Sequence, residues 1–199
     1  ASSHRSCFSN SFLLSSITCD SPKLLCLTNI FANRYVQASA QLRGISMSVA
    51  PYVSSPEEVV RKMLDLARLR EGEVLYDLGC GDGRIVVIAA KDYMAKAFGV
   101  EIREDLAATA QKQLEEFDLE GKAQIIRGDF FEIDLSKADV VTLYLTSSAN
   151  EKLKPKLGKE LKVNSRVVSH DFSIAGWKPS EVCEEPHGHT IYLYRIGSS

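Results

Sequence analysis

Cysteine is scarce and poorly spaced. Of Cys7, Cys19, Cys26, Cys80 and Cys183, no two stand in C-x-x-C spacing. Zinc sites and disulfide frameworks need paired spacings, so free thiols in a reducing compartment are expected, with no metal. A surplus of positive charge is also missing: 24 Lys and Arg face 26 Asp and Glu, for a formal net charge of -2. Nucleic-acid binders usually carry a basic excess, so no nucleic-acid partner is expected. Nor is there an apolar run of the ~20 residues that a membrane span requires. The longest one near the N-terminus is broken by Ser15, Ser16, Thr18 and Asp20. No transmembrane segment is therefore expected. What remains is ordinary for a globular protein: 45% hydrophobic and 25% charged residues in a chain of 199, room for one domain and a remainder.

The remainder lies at the start. Residues 1–48 hold a single acid, Asp20, against Arg5, Lys23, Arg34 and Arg43, and serine recurs throughout. Ser-rich, Arg-containing and acid-poor composition marks an organelle transit peptide and offers too little apolar pattern to order itself. The expectation is a disordered leader over 1–48 and a folded domain over 49–199. The opening Ala-Ser-Ser favours a chloroplast over a mitochondrion. Translation from Met47 would instead give a cytoplasmic protein.

The domain alternates helical and extended signals. Ser55, Pro56 and Glu58 predict a capping box that opens a helix, whose apolar face is Val59, Val60, Met63, Leu64 and Ala67. Val74-Leu75-Tyr76 predicts a strand, followed by a helical run over 85–90. Residues 97–101 predict a second strand and 104–117 a helix. Further strands are predicted over 123–126, 140–145 and 166–172. Between the last two, Leu153, Leu157 and Leu161 mark a helix, with Ser148 and Glu151 as its capping box and Pro155 obscuring its start. Residues 181–184 and 190–195 predict an antiparallel hairpin. This order predicts a doubly wound, Rossmann-like α/β fold with a mostly parallel sheet.

The chemistry gathers at strand ends. Asp77-x-Gly79-x-Gly81-x-Gly83 follows the first strand, where such a sheet binds its ligand, and Cys80 lies within the turn. Glu101 ends the second strand, next to Ile102; its carboxylate can accept both hydroxyls of a ribose. Asp129 closes the third strand and can accept an adenine amino group while Phe130 packs on the ring. A dinucleotide fingerprint would need glycine where Arg84 stands, and Asp77 and Asp82 bring negative charge to the place a pyrophosphate would occupy. Acids there suit a ligand with a sulfonium and an ammonium group. S-adenosylmethionine (SAM) is therefore the expected cofactor. Asp82 is expected to cap the next helix, and Arg84 to pair with Asp77 or another acid of the site.

Asp-Leu-Gly-Cys-Gly-Asp-Gly-Arg over 77–84, the acid of Val-Glu-Ile and the Gly-Asp-Phe at 128–130 resemble the motifs of class I SAM-dependent methyltransferases. Pro51-Tyr52-Val53, the run over 81–86 and Trp177-Lys178-Pro179 resemble the small lysine methyltransferases that act on the adenine nucleotide translocase and the ATP synthase c-subunit. Ser169-His170-Asp171-Phe172 is similar to a segment of their prokaryotic relatives. The resemblance implies methyl transfer to a protein lysine, with Tyr52 on an entry segment over the methyl donor. It places Tyr144, at the fourth strand's end, beside the acceptor, and His170 and Asp171 near the same mouth. His187 and His189 are expected to be exposed, and a monomer is expected.

No Asn/Asp-Pro-Pro-Tyr follows the fourth strand, where Leu145-Thr146-Ser147-Ser148 stands. That disfavours amide and exocyclic-amine acceptors. No dedicated catalytic base is assigned, since an amine needs only desolvation to lose its proton. A small-molecule acceptor, a nucleotide-dependent oxidoreductase and a non-catalytic SAM-binding subunit stay open as alternatives.

Overall fold

Apolar side chains alternate along the strands and so feed two separate cores. Leu75, Val140, Val168 and Leu193 are buried on one side of the sheet. Their neighbours Tyr76, Val141, Val167 and Tyr194 are buried on the other. Successive side chains of a strand point to opposite faces, so a sheet apolar at consecutive positions must be covered on both. The computed structural model describes residues 53–185 and 188–197. The leader over 1–48, together with Tyr52 and His187, lies outside the described residues.

The elements are α1 (Glu57–Ala67), β1 (Val74–Leu78), α2 (Arg84–Asp92), β2 (Lys96–Glu101), α3 (Glu104–Glu116), β3 (Ala123–Arg127), β4 (Val140–Leu143), α4 (Ser147–Glu160), β5 (Arg166–His170), β6 (Glu181–Glu184) and β7 (Thr190–Arg195). The seven strands form one sheet in the order β3-β2-β1-β4-β5-β7-β6. Strands β1 to β5 run parallel to one another, while β7 runs antiparallel to both β5 and β6. The doubly wound, mostly parallel fold is as expected. Strand order reverses between β1 and β4, which opens a cleft at their C-terminal ends. Among the described residues, no helix is long and apolar enough to cross a membrane.

Helix α1 buries Val59, Val60, Met63, Leu64 and Ala67 at helical spacing. Its predicted capping box is not formed. The cap position is Pro56, without a side-chain cap hydrogen bond, because the Ser55 hydroxyl is spent on His170 Nδ1 at 2.9 Å. At the other end Arg68 turns left-handed at φ 52°. The buried Arg166 of β5 donates Nη1 to the carbonyls of Ala67 and Arg68 and pairs with Glu73 at 2.7 Å. Those bonds satisfy carbonyls that the helix end leaves open.

Helix α4 also departs from expectation at its start. Its cap is Thr146, whose side chain accepts from the Ala149 N–H, in place of the predicted Ser148–Glu151 box. The helix continues through Pro155, although an interior proline costs about 3 kcal/mol. Leu153 and Leu157 are fully buried on its inner side. At roughly 1.5–3 kcal/mol each, their burial offsets that penalty.

Candidate active site

The loop from β1 to α2 holds its shape through backbone bonds and close packing. The N–H groups of Gly79 and Cys80 both donate to the Val100 carbonyl of β2, at 2.9 and 3.0 Å. Gly83 has φ 85°, and a Cβ there would lie 2.8 Å from the Ala110 Cβ of α3. Glycine is thus needed for both its conformation and the approach of α3. Gly83, not Asp82, is the cap residue of α2. The Asp82 carboxylate still accepts the Arg84 N–H at 3.3 Å and binds the Arg84 guanidinium in a fork, down to 2.6 Å. Arg84 therefore pairs with a site acid, though with Asp82 and not Asp77. Its Nη1 reaches over to the Ser55 carbonyl at 2.7 Å and ties the entry segment to the loop.

A cleft opens above these strand ends. Asp77, Gly79, Cys80, Gly81, Glu101, Ile102, Asp129, Phe130 and Tyr144 all line it. Val53, Ser54 and Ser55, which follow Tyr52 in the chain, line it too.

The three acids differ in their partners. Asp77, inside β1, is 2% exposed and accepts from Thr142 Oγ1 at 2.8 Å. Burial pushes its carboxyl up to about 7; the Thr142 bond opposes the rise, and Glu101 and Asp82 add to it. A cation arriving here would meet a carboxyl that gains by ionising. Glu101 accepts the Gly81 N–H on Oε2 at 3.0 Å and the Arg103 N–H on Oε1 at 2.8 Å. A carboxylate has about four acceptor positions, so one on each oxygen remains. Asp129 accepts the Phe131 N–H on Oδ1 at 2.9 Å, which fixes the turn after β3. Phe130 is buried beside it.

At the opposite end of the cleft stands an aromatic and polar group. The Tyr144 ring packs on His170, with centroids 3.9 Å apart, and its hydroxyl donates to Asp171 Oδ2 at 3.2 Å. His170 is fully buried. Its Nε2 lies 3.0 Å from His189 Nδ1, which in turn lies 3.2 Å from Asp171 Oδ2. Burial pulls His170 down to about 4, against the attraction of Asp171, so its ring is neutral near pH 7. Burial raises the Asp171 carboxyl, but the Thr190 N–H and the two histidines hold it below the usual carboxylate range.

His189, expected to be exposed, is instead half-buried, because the β6–β7 hairpin folds it onto the end of β5. Among the described residues, His170, Asp171 and His189 form a grouping of three ligand-type atoms within 4.8 Å. Hydrogen bonds join those atoms as they stand. Sequence reasoning also missed Thr142, which nothing local marks, and Ser55, read there only as a helix cap.

A family model described as the ANTKMT methyltransferase domain matches residues 77–181. The chain belongs to that methyltransferase family. It is 52% identical over 151 residues to a protein-lysine N-methyltransferase of Saccharolobus islandicus, covering 74% of this chain and 94% of that protein. It is 33% identical over 135 residues to the adenine nucleotide translocase lysine N-methyltransferase of Mus musculus, covering 68% of this chain but only 58% of the mouse protein. In crystal structures, it resembles an RNA methyltransferase of Salinibacter ruber bound to S-adenosyl-L-homocysteine. That match has 44% identity and a TM-score of 0.71, and covers 74% of this chain and 95% of that one. The protein is a SAM-dependent methyltransferase of class I fold, and the cleft's acids and glycine turn fit that cofactor.

Proposed function

We propose that this methyltransferase modifies lysine side chains of protein. The observation that carries the reading is the end of the cleft: an ionised Asp171 behind the Tyr144 ring, a setting that attracts an alkylammonium and desolvates it. An aromatic face and a carboxylate each favour a cation. The lysine-directed names of the Saccharolobus and mouse relatives support the same acceptor.

In this reading Asp77 holds the methionyl ammonium and Glu101 the two ribose hydroxyls. Asp129 and Phe130 hold the adenine, and Gly79 and Gly81 let the backbone approach, with Cys80 and Ile102 as walls. Tyr52 stands on the entry segment that closes the cleft, and Tyr144, His170 and Asp171 border the acceptor. SAM, when bound, would supply a methyl group activated on its sulfonium, taken in line by the acceptor with the thioether as leaving group. The residues of the chain add alignment and exclusion of water. The composition of residues 1–48 supports import into an organelle, a chloroplast before a mitochondrion.

The test is incubation of the full chain with methyl-labelled SAM and a total extract containing protein and RNA. Label is expected in protein, stable to base, and recovered as methyl-lysine after hydrolysis. The Salinibacter protein is named for RNA, so ribonuclease-sensitive label is one outcome that would overturn the lysine reading. Label confined to small molecules is another.

A further inference from the structure

Asp171 is held in a conformation that residues with a Cβ rarely adopt, φ 59° at the end of a strand. Two bonds across to β7 fix it there. Its N–H donates to the Thr190 carbonyl at 2.7 Å, and its Oδ1 accepts the Thr190 N–H at 3.0 Å. That leaves Oδ2 at the centre of a cluster. Around it lie Tyr144 Oη at 3.2 Å, His189 Nδ1 at 3.2 Å and His170 Nε2 at 3.4 Å.

The polar groups converge from every element packed here. Tyr144 follows β4, His170 and Asp171 close β5, and His189 precedes β7. Ser55, before α1, sits on the far nitrogen of His170. One end of this chain, Tyr144, borders the cleft; the other, the His189 side chain, is 26% exposed. Polar atoms 3.2 Å apart at each step therefore lead from the reaction cleft to a partly exposed side chain.

We propose that Tyr144, Asp171 and His189 carry the proton of an acceptor ammonium out of the cleft. The proposal rests on the lysine reading above. A lysine side chain arrives as R–NH3+ and has no lone pair until one N–H bond breaks. That proton forms an O–H bond on Tyr144, whose own phenolic proton passes to Asp171 Oδ2. From there it moves to Nδ1 of His189 in the tautomer that carries its hydrogen on Nε2. The imidazolium so formed gives one proton to water from the partly exposed side chain, and proton exchange with solvent returns it to that tautomer. The amine is left neutral with a free lone pair, and Tyr144 and Asp171 return to their starting states.

Tyr144 touches the acceptor in this scheme, whereas Asp171 and His189 act through it. Burial and the nearby Asp171 raise the Tyr144 pKa, so it remains a phenol with a proton to relay. The neutral His170 ring serves as the floor on which Tyr144 stacks.

The test compares the full chain with Tyr144→Phe, Asp171→Asn and His189→Gln, using a total protein extract as acceptor and labelled SAM. Initial rates at limiting acceptor are followed from about pH 6.5 to 9.5, on either side of neutrality and below the ordinary lysine value near 10.4. The wild type is expected to level off above neutral pH. The Tyr144→Phe and Asp171→Asn variants should fall about 100-fold at neutral pH, as for loss of general-base assistance. They should then climb about tenfold per pH unit, since only the free amine fraction reacts. His189→Gln should show the same slope with a smaller fall.

Melting temperature and S-adenosylhomocysteine affinity identify variants that have lost the fold. Tyr144→Phe removes a single oxygen and keeps the ring stack, so it decides the matter if the others unfold. Variants that lose activity by one factor at every pH, or lose none, would overturn the relay while leaving the lysine assignment intact. Absence of methyl-lysine with the wild type would instead sink the acceptor assignment itself.

Discussion

At the scale of single residues, two carboxyls in one cleft are given different partners by their neighbours. Glu101 is buried but receives two backbone N–H groups, and it keeps free positions for the hydroxyls of a ribose. Replacing it with alanine should weaken SAM binding by about 1.5–3 kcal/mol, the range for hydrogen bonds to a charged group. Calorimetry on the folded variant checks this, and unchanged affinity would remove the ribose assignment. Asp77 has one hydroxyl donor and its carboxyl is pushed up to about 7. A raised folded-state value means that the ligand-free protein holds this stability contribution in full below the ordinary carboxyl range near 4, and loses it as pH rises through about 7. A cationic ligand shifts the balance the other way. SAM affinity should therefore rise from about pH 5 to pH 7, by up to tenfold per unit, and then level off. Titrations at several pH values should show that slope in the wild type and not in Asp77→Asn. A slope that persists in the variant would assign the titration to another group.

At the scale of elements, the sheet and its helices were legible because their signals are local and repeated. Val140–Leu143 is apolar at nearly every position and is buried on both faces, and α1 shows its buried stripe at helical spacing. Contacts made across long sequence separations were not legible. Ser55 looks like a helix cap until β5 places His170 beside it, 115 positions away. His189 looks like a loop residue until the hairpin folds it onto Asp171. The cofactor half of the site could be read because each acid ends or adjoins a strand. In the acceptor half Tyr144, His170 and Asp171 were named through the family resemblance, but Ser55 and His189 were not, since only the fold brings β7 and the segment before α1 to them. Helix α4 carries a testable consequence: Leu153→Ala should cost about 2–5 kcal/mol in denaturant unfolding, as for a fully buried leucine. The segment before α1 carries another. Val53, Ser54 and Ser55 line the cleft, and Arg84 holds Ser55 through its carbonyl. Binding of S-adenosylhomocysteine should slow hydrogen exchange over residues 53–63 as well as over the 79–83 loop. Protection confined to the loop would deny the segment its role as a cover.

For the whole molecule, the proposed division between leader and domain gives the broadest prediction. A chain beginning at Met47 should melt within a few degrees of the full chain and bind SAM equally well, since residues 1–48 lack a buried pattern. Failure of that shortened chain to fold would count against the leader. Residues 1–48 fused to a fluorescent protein should direct it to an organelle, and diffuse fluorescence would oppose the targeting reading. The order of the strands has a consequence on another timescale, that of synthesis. Strand β7 follows β5 and β6 in sequence, yet it lies inside the sheet, against β5 on one side and β6 on the other. While the chain is still being made, β5 presents an open edge that invites pairing with other chains. Only once β7 has been made can it close that edge, and the same event brings His189 to Asp171. A nascent chain that stops short of β7 thus lacks the acceptor end of its cleft even where the cofactor end has formed.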